Sequence, residues 1–225
     1  MPDWWSYGAE DFLLFAPRTY WRLVASYQAG LWPLPVATVA GGLALLGWGL
    51  WRPAQARRWC LLPLAGLWLL TGLAFVGGRY ATINWAAAYA VPLFVLQAAL
   101  LAVATVRDSG GTPLPAVGGV LAAWGIALHP LLALAGGREA ASAEAFGLMP
   151  DPTAIATLGL VLLSGAPSWL LPLPALWCLA GSVTLGAMGE PFAWVPALAA
   201  GVAVAAAGGR ARQRLHARSL ARDDR

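Results

Sequence analysis

The chain has 225 residues, of which 60% are hydrophobic and only 11% charged, with a formal net charge of +4. A soluble domain carries about 25% charged residues, so a globular surface is excluded and lipid is the expected solvent. The positive charge does not point to nucleic acid, because six Arg between positions 210 and 225 directly follow an apolar stretch, as in a cytoplasmic membrane flank.

Residues 1–28 do not read as a span, because Arg18 and Arg22 would both be buried at several kcal/mol. Pro17 suits a first helical turn. From there Tyr20, Val24 and Tyr27 share one face, and Arg18, Arg22 and Ser26 another. With Trp4, Trp5 and Trp21 nearby, an amphipathic helix lying in the membrane interface is expected. The N-terminus is acidic (Asp3, Glu10, Asp11), with no basic region ahead of an apolar one, so no cleavable signal peptide is expected.

Seven apolar segments follow, at about 31–51, 59–76, 83–106, 114–135, 153–164, 170–188 and 194–208. The expected fold is therefore all-α: a membrane bundle of about seven spans over 29–209, with an interfacial segment 1–28 and a basic tail 210–225. The fifth segment stands apart. At about 1.5 Å per residue it is roughly 18 Å long, against a hydrocarbon core of about 30 Å. Its neighbourhood, FGLMPDPTAIATLGLVLLSGAPSWLLPLP at 146–174, opens on a Pro-Asp-Pro turn and breaks again near Gly165.

Charge sets the expected orientation. With Arg52, Arg57 and Arg58 inside, alternation puts Arg107 and the tail inside as well. The inside then holds ten Arg and three acids, and the outside four Arg and seven acids. That is the positive-inside bias, and it requires the short fifth segment to count as a crossing or half-crossing. Tryptophans at both sets of span ends fit aromatic belts. All 14 basic residues are Arg, which with the heavy use of Ala and Gly suggests a GC-rich bacterial genome. The expected location is the bacterial inner membrane, N-terminus outside and C-terminus in the cytoplasm.

Polar groups gather on the expected outer side. Asp151 can cap the helix that follows it, or its helix N-terminus can help bind an anion or polar solute. Arg79 either sits among lipid headgroups or pairs with Asp151 or Glu144, and Asn84 is within reach of the same surface. His129 is a packing residue ahead of Pro130, a proton carrier or a metal ligand. His129, Met149 and Met188 could make a soft copper site, but they lack a fixed spacing. No cofactor or metal is expected. Cys60 and Cys178 lie in different spans and read as small apolar residues. Ser164 and Ser168 lie far from His129, which argues against a Ser–His pair and hence against an enzyme. Ala197, Gly201, Ala205 and Gly209 form a small-residue stripe, for packing within one protomer or between subunits.

Several stretches together resemble a family. They are Trp4-Trp5 with 11–20, Arg79 to Trp85, 146–153, and Leu176-Trp177-Cys178 followed by Met188-Gly189. Over nearly its whole length the chain resembles a family of bacterial integral membrane proteins of unknown function. The resemblance implies a multi-span inner-membrane fold and carries no activity and no site residue. Two function classes follow from the residues. One is a small-solute permease or channel with an outward polar site at Arg79, Asn84, His129, Glu144 and Asp151; it requires a water-filled cavity from the outer loops to mid-span. The other is a non-transporting accessory protein of another membrane complex. The partners expected are the bilayer and either a second copy or another membrane protein.

Overall fold

The computed structural model describes residues 13–107 and 111–223. Trp4, Trp5 and the N-terminal acids, Asp108, Asp224 and Arg225 lie outside them. Nine α-helices occur among the described residues: α1 (Pro17–Gly30), α2 (Leu34–Trp51), α3 (Pro53–Leu70), α4 (Val91–Val106), α5 (Pro115–Ala123), α6 (Leu131–Ala135), α7 (Pro150–Leu163), α8 (Pro172–Ala187) and α9 (Trp194–Asp223). Seven of the 17 prolines are helix starts. They sit at the first or second position of α1, α2, α3, α4, α5, α7 and α8, where the missing N–H would have no partner.

Five helical stretches are long and apolar enough to cross a membrane: Leu34–Trp51, Arg58–Thr82, Trp85–Val106, Ser168–Ala187 and Trp194–Gln213. Two apolar helices are shorter, Pro115–Leu128 and Pro150–Leu163. The second of these, α7, forms the heart of the bundle, and α5 packs one face against it. Every residue of α7 is buried, so this 14-residue helix, about 21 Å long, is wrapped on all sides by protein.

α5 and α7 run antiparallel with their backbones in contact. A Cβ added at Gly118 would lie 2.3 Å from the Leu163 nitrogen, one at Gly125 would lie 2.5 Å from the Ala156 nitrogen, and one at Gly159 would lie 2.2 Å from the Ala122 nitrogen. This is the close approach that small residues permit. The stripe at Ala197, Gly201, Ala205 and Gly209 behaves differently. Gly201 and Gly209 are exposed and have no neighbour within 4 Å at the Cβ position.

α1 also departs from expectation. Tyr20, Val24 and Tyr27 do form one face, but that face is buried against the bundle. Tyr20 and Phe15 meet Tyr80, and Tyr27 meets Phe75. The helix therefore docks on protein instead of resting its apolar side in lipid. At the opposite end of the bundle, α9 continues without a break from the apolar stretch into the basic segment. Arg210, read from the sequence as part of a topology anchor, is buried. It donates to the Thr112 carbonyl at 3.1 Å, the Ala166 carbonyl at 3.3 Å and Ser168 Oγ at 2.6 Å. It thus ties α9 to the turns that flank α5 and α7. Cys60 and Cys178 are buried free thiols.

Candidate functional site

The segment before α7 is shaped by Gly147 and Thr153. Gly147 has φ +79°, a conformation that glycine accepts and other residues rarely do. Its N–H donates to Thr153 Oγ1 at 2.8 Å, and the Thr153 hydroxyl donates to the Met149 carbonyl at 2.6 Å. Thr71 Oγ1 donates to the Gly147 carbonyl at 3.0 Å, fixing the turn to the helix that extends α3. Thr153, not Asp151, therefore closes this turn. The N-cap is Met149, Pro150 is the first helical residue, and Asp151 makes no cap bond.

Freed from capping, Asp151 points at α8. Its Oδ1 accepts from the Trp177 indole at 2.8 Å. Gly181 makes room for it, since a Cβ there would lie 2.6 Å from Asp151 Oδ1. Asp151 is 4% exposed and forms no ion pair among the described residues. Beside it lies a cavity of about 50 Å³, lined by Tyr20, Tyr80, Trp177, Thr184 and Met188 among others. That volume holds a few waters at most.

The second buried acid is Glu144. Its Oε1 accepts from the Tyr20 hydroxyl at 3.2 Å, and its Oε2 lies 3.4 Å from His129 Nε2. Glu144 and His129 are each 3% exposed. His129 is aimed by a wide turn: residues Trp124–Leu128 wind as a π-helix, and the His129 N–H donates to the Trp124 carbonyl at 2.7 Å. Such single wide turns recur at functional positions. A cavity of only about 10 Å³ adjoins His129 and Glu144. At its rim Arg138 lies 3.3 Å from Glu190 Oε2 and stacks on Trp21 at 3.5 Å, and the Trp21 indole donates to Glu190 Oε1 at 2.8 Å.

Tyr20 links the two acids, since it donates to Glu144 and lines the Asp151 cavity. Burial pushes its phenol well above the ordinary tyrosine range, and the neighbouring Glu144 and Asp151 charges push it further. The hydroxyl therefore stays protonated and available as a donor. Asn84 belongs one step further out: its amide donates to the Tyr80 hydroxyl at 3.0 Å, and Tyr80 lines the same cavity.

Of the five residues singled out from the sequence, His129, Glu144 and Asp151 come together around Tyr20, and Asn84 joins through Tyr80. Arg79 does not. It is exposed and forms no ion pair with Asp151 or Glu144. Arg79→Ala is therefore expected to shift stability by no more than about 0.5 kcal/mol. A thermal melt of the detergent-purified variant checks this, and a fall of several degrees would mean that Arg79 has a partner. Tyr20, Tyr80, Trp177, Arg138 and Glu190 lie outside those five. A usable signal existed for two of them: a phenol in the middle of an apolar face and an indole within an apolar stretch both need polar partners.

The helices and the cluster define a class: an all-helical protein with several helices of membrane-crossing length and apolarity and a buried acid–imidazole group at one end. The chain belongs to the family of unknown function DUF6064, whose pattern matches residues 18–216. The matched stretch contains the whole cluster, from Tyr20 to Glu190. No curated protein and no solved structure matches the chain.

Proposed function

We propose that this is a multi-pass protein of the bacterial inner membrane, with the α1 end outside and the C-terminus in the cytoplasm, and that it conducts or exchanges protons at Asp151. α5 and α7 complete the seven segments as a short packed pair, of which only α7 is enclosed. The Arg distribution supports the orientation. One observation carries the proton reading: Asp151 is a buried acid without a cationic partner among the described residues, beside a cavity with room only for water-sized guests. Ionisable groups at such depth are costly and serve by default as functional candidates. Tyr20, Glu144 and His129 supply an exchangeable series that leads from Asp151 towards the Arg138–Glu190 rim. The same dimensions argue against a larger solute as cargo in this conformation.

Asp151→Asn keeps an acceptor for Trp177 and removes the titrating group, so the fold is expected to survive. Liposomes containing the protein and an internal pH dye, given an imposed pH jump, test the reading. The wild type is expected to dissipate the gradient about a hundredfold faster than the variant, at the lower end of the roughly 10²–10⁴-fold range that positioned proton-transfer groups reach in enzymes. Wild-type liposomes no faster than protein-free ones would overturn it.

A second reading has its own support. The small-residue face of α9 around Gly201 and Gly209 is unpacked, which suits an accessory protein that grips a second membrane helix. Copurification of one partner at fixed stoichiometry in mild detergent would favour it.

A further inference from the structure

An apolar groove of about 500 Å³ lies between α1, α2 and the segment that precedes α7. Its volume is in the range of small-molecule sites. Ala25 and Ala29 line it from α1, Trp32, Val36 and Leu43 from the α1–α2 corner and α2, and Ala140 from the facing segment. The amide of Gln28, also in the wall, is engaged: it donates to the Ala143 carbonyl at 2.7 Å and accepts from the Ala145 N–H at 3.0 Å. The groove therefore offers an apolar bed, continuous with the exposed apolar surface of α2 at Val36 and Leu43.

Two exposed charged residues adjoin the groove in sequence. α1 and residues 138–145 run alongside each other, with Arg138 stacked on Trp21 at one end and Ala143 bonded to Gln28 at the other. The residue after each member of the stacked pair is exposed and charged: Arg22 on α1 and Glu139 on the facing segment. Neither forms an ion pair among the described residues. Arg22 precedes Ala25 by three residues, about one turn, so it shares the groove-lining face of α1. Arg18 lies roughly another turn, about 6 Å, beyond. Arg22, one turn from the lining Ala25, and Glu139, next in sequence to the lining Ala140, thus adjoin the groove without lining it.

We propose that this groove binds one zwitterionic aminophospholipid. Arg22 takes the phosphodiester, Glu139 takes the primary ammonium, and an acyl chain lies along Ala29, Val36 and Leu43. A guanidinium suits a phosphate, and a primary ammonium can donate to a carboxylate. A quaternary choline has no N–H to give, and a glycerol headgroup has no positive charge. The inference rests on the membrane reading above and is independent of proton movement.

Detergent-purified protein, stripped of lipid and titrated with phosphatidylethanolamine, phosphatidylcholine or phosphatidylglycerol of identical chains, is read by native mass spectrometry and thermal shift. One phosphatidylethanolamine per chain is expected to bind, about two- to fivefold more tightly than phosphatidylcholine, the scale of one exposed ion pair. Glu139→Gln should erase that preference while leaving phosphatidylcholine binding intact. Arg22→Gln should weaken both by a similar factor. Ala29→Trp, at an exposed position, should fill the groove and remove the bound lipid without loss of fold. Equal binding of all three lipids, preference for phosphatidylglycerol, or retained selectivity in Ala29→Trp would each overturn the proposal. None of these readouts depends on proton flux, so either proposal can fail alone.

Discussion

Gly159→Val is expected to unfold the bundle or to drive α5 away from α7, at a cost above about 3 kcal/mol. The first side-chain atom alone would meet the Ala122 nitrogen at 2.2 Å, the Gly118 oxygen at 2.7 Å and the Ala122 Cα at 2.8 Å. All three are backbone atoms, so no rotamer change gives relief and a whole helix must move. α7 cannot retreat, because every one of its residues is buried. Overpacking of a well-packed core costs about 1–3 kcal/mol even where side chains can yield, and the branched side chain adds two further carbons. Displacing α5 also opens a gap along the Gly118–Ala122–Gly125 seam, forfeiting close dispersion contacts. Gly201→Val is the matched control. Nothing lies within 4 Å of its Cβ position, so its monomer stability should change by no more than about 0.5 kcal/mol. Unfolding in mixed micelles, followed by circular dichroism, separates the two. Equal stability of the variants would mean that the α5–α7 contact is looser than described. A shift of oligomeric state in Gly201→Val alone would locate a subunit contact on α9.

The contrast between those glycines explains what the sequence could and could not disclose. Both seams have small residues at helical spacing, 118, 122 and 125 in one case and 197, 201, 205 and 209 in the other. Periodicity alone does not say which stripe meets another backbone, because that depends on which helix is opposite. The apolar segments themselves were legible, since runs of apolar residues between prolines leave few alternatives. So was the shared face of Tyr20, Val24 and Tyr27. What covers that face was not legible: an amphipathic helix has the same pattern whether it rests on lipid or on protein.

The cluster was half legible for a related reason. Rarity marked His129, Glu144 and Asp151, as polar residues in a chain with so few. Their pairing was not marked. Glu144 meets Tyr20 across 124 residues, and Arg79, the nearest unassigned cation by loop logic, stays apart. Asp151 beside Pro152 matched a helix cap so well that its turn towards Trp177 was hidden. The cue lay in Thr153, whose hydroxyl closes the turn in its place. Arg210 was misleading in the same way, since nothing in the run of tail arginines marks it as buried.

Glu144→Ala should be the most damaging single change in the cluster. The carboxylate serves two buried groups, the Tyr20 hydroxyl at 3.2 Å and His129 Nε2 at 3.4 Å, and neither has another partner for that atom among the described residues. His129 Nδ1 is already without a hydrogen-bond partner, so the imidazole would be left with no side-chain contact to a polar group. Leaving a buried polar group without its partner costs about 1–3 kcal/mol, and Glu144→Ala leaves two, the Tyr20 hydroxyl and the His129 imidazole. The loss should also loosen α1, since Tyr20 is the residue that bonds α1 to this acid. Glu144→Gln keeps an acceptor for Tyr20 and a hydrogen-bonding group near His129, so about 1–3 kcal/mol is expected. Tyr20→Phe removes one neutral donor and should cost about 1 kcal/mol. In a double-mutant cycle, Glu144→Ala and Tyr20→Phe should be non-additive by about 0.5–3 kcal/mol, as for residues in direct contact. Limited proteolysis within 17–30 is the second readout: α1 should become cleavable in Glu144→Ala while α8 stays protected. Additive energies with α1 still protected would show that Glu144 does not hold α1, and that the aromatic contacts of Tyr20, with the hydrogen bonds of Gln28 and Trp21, suffice without the acid.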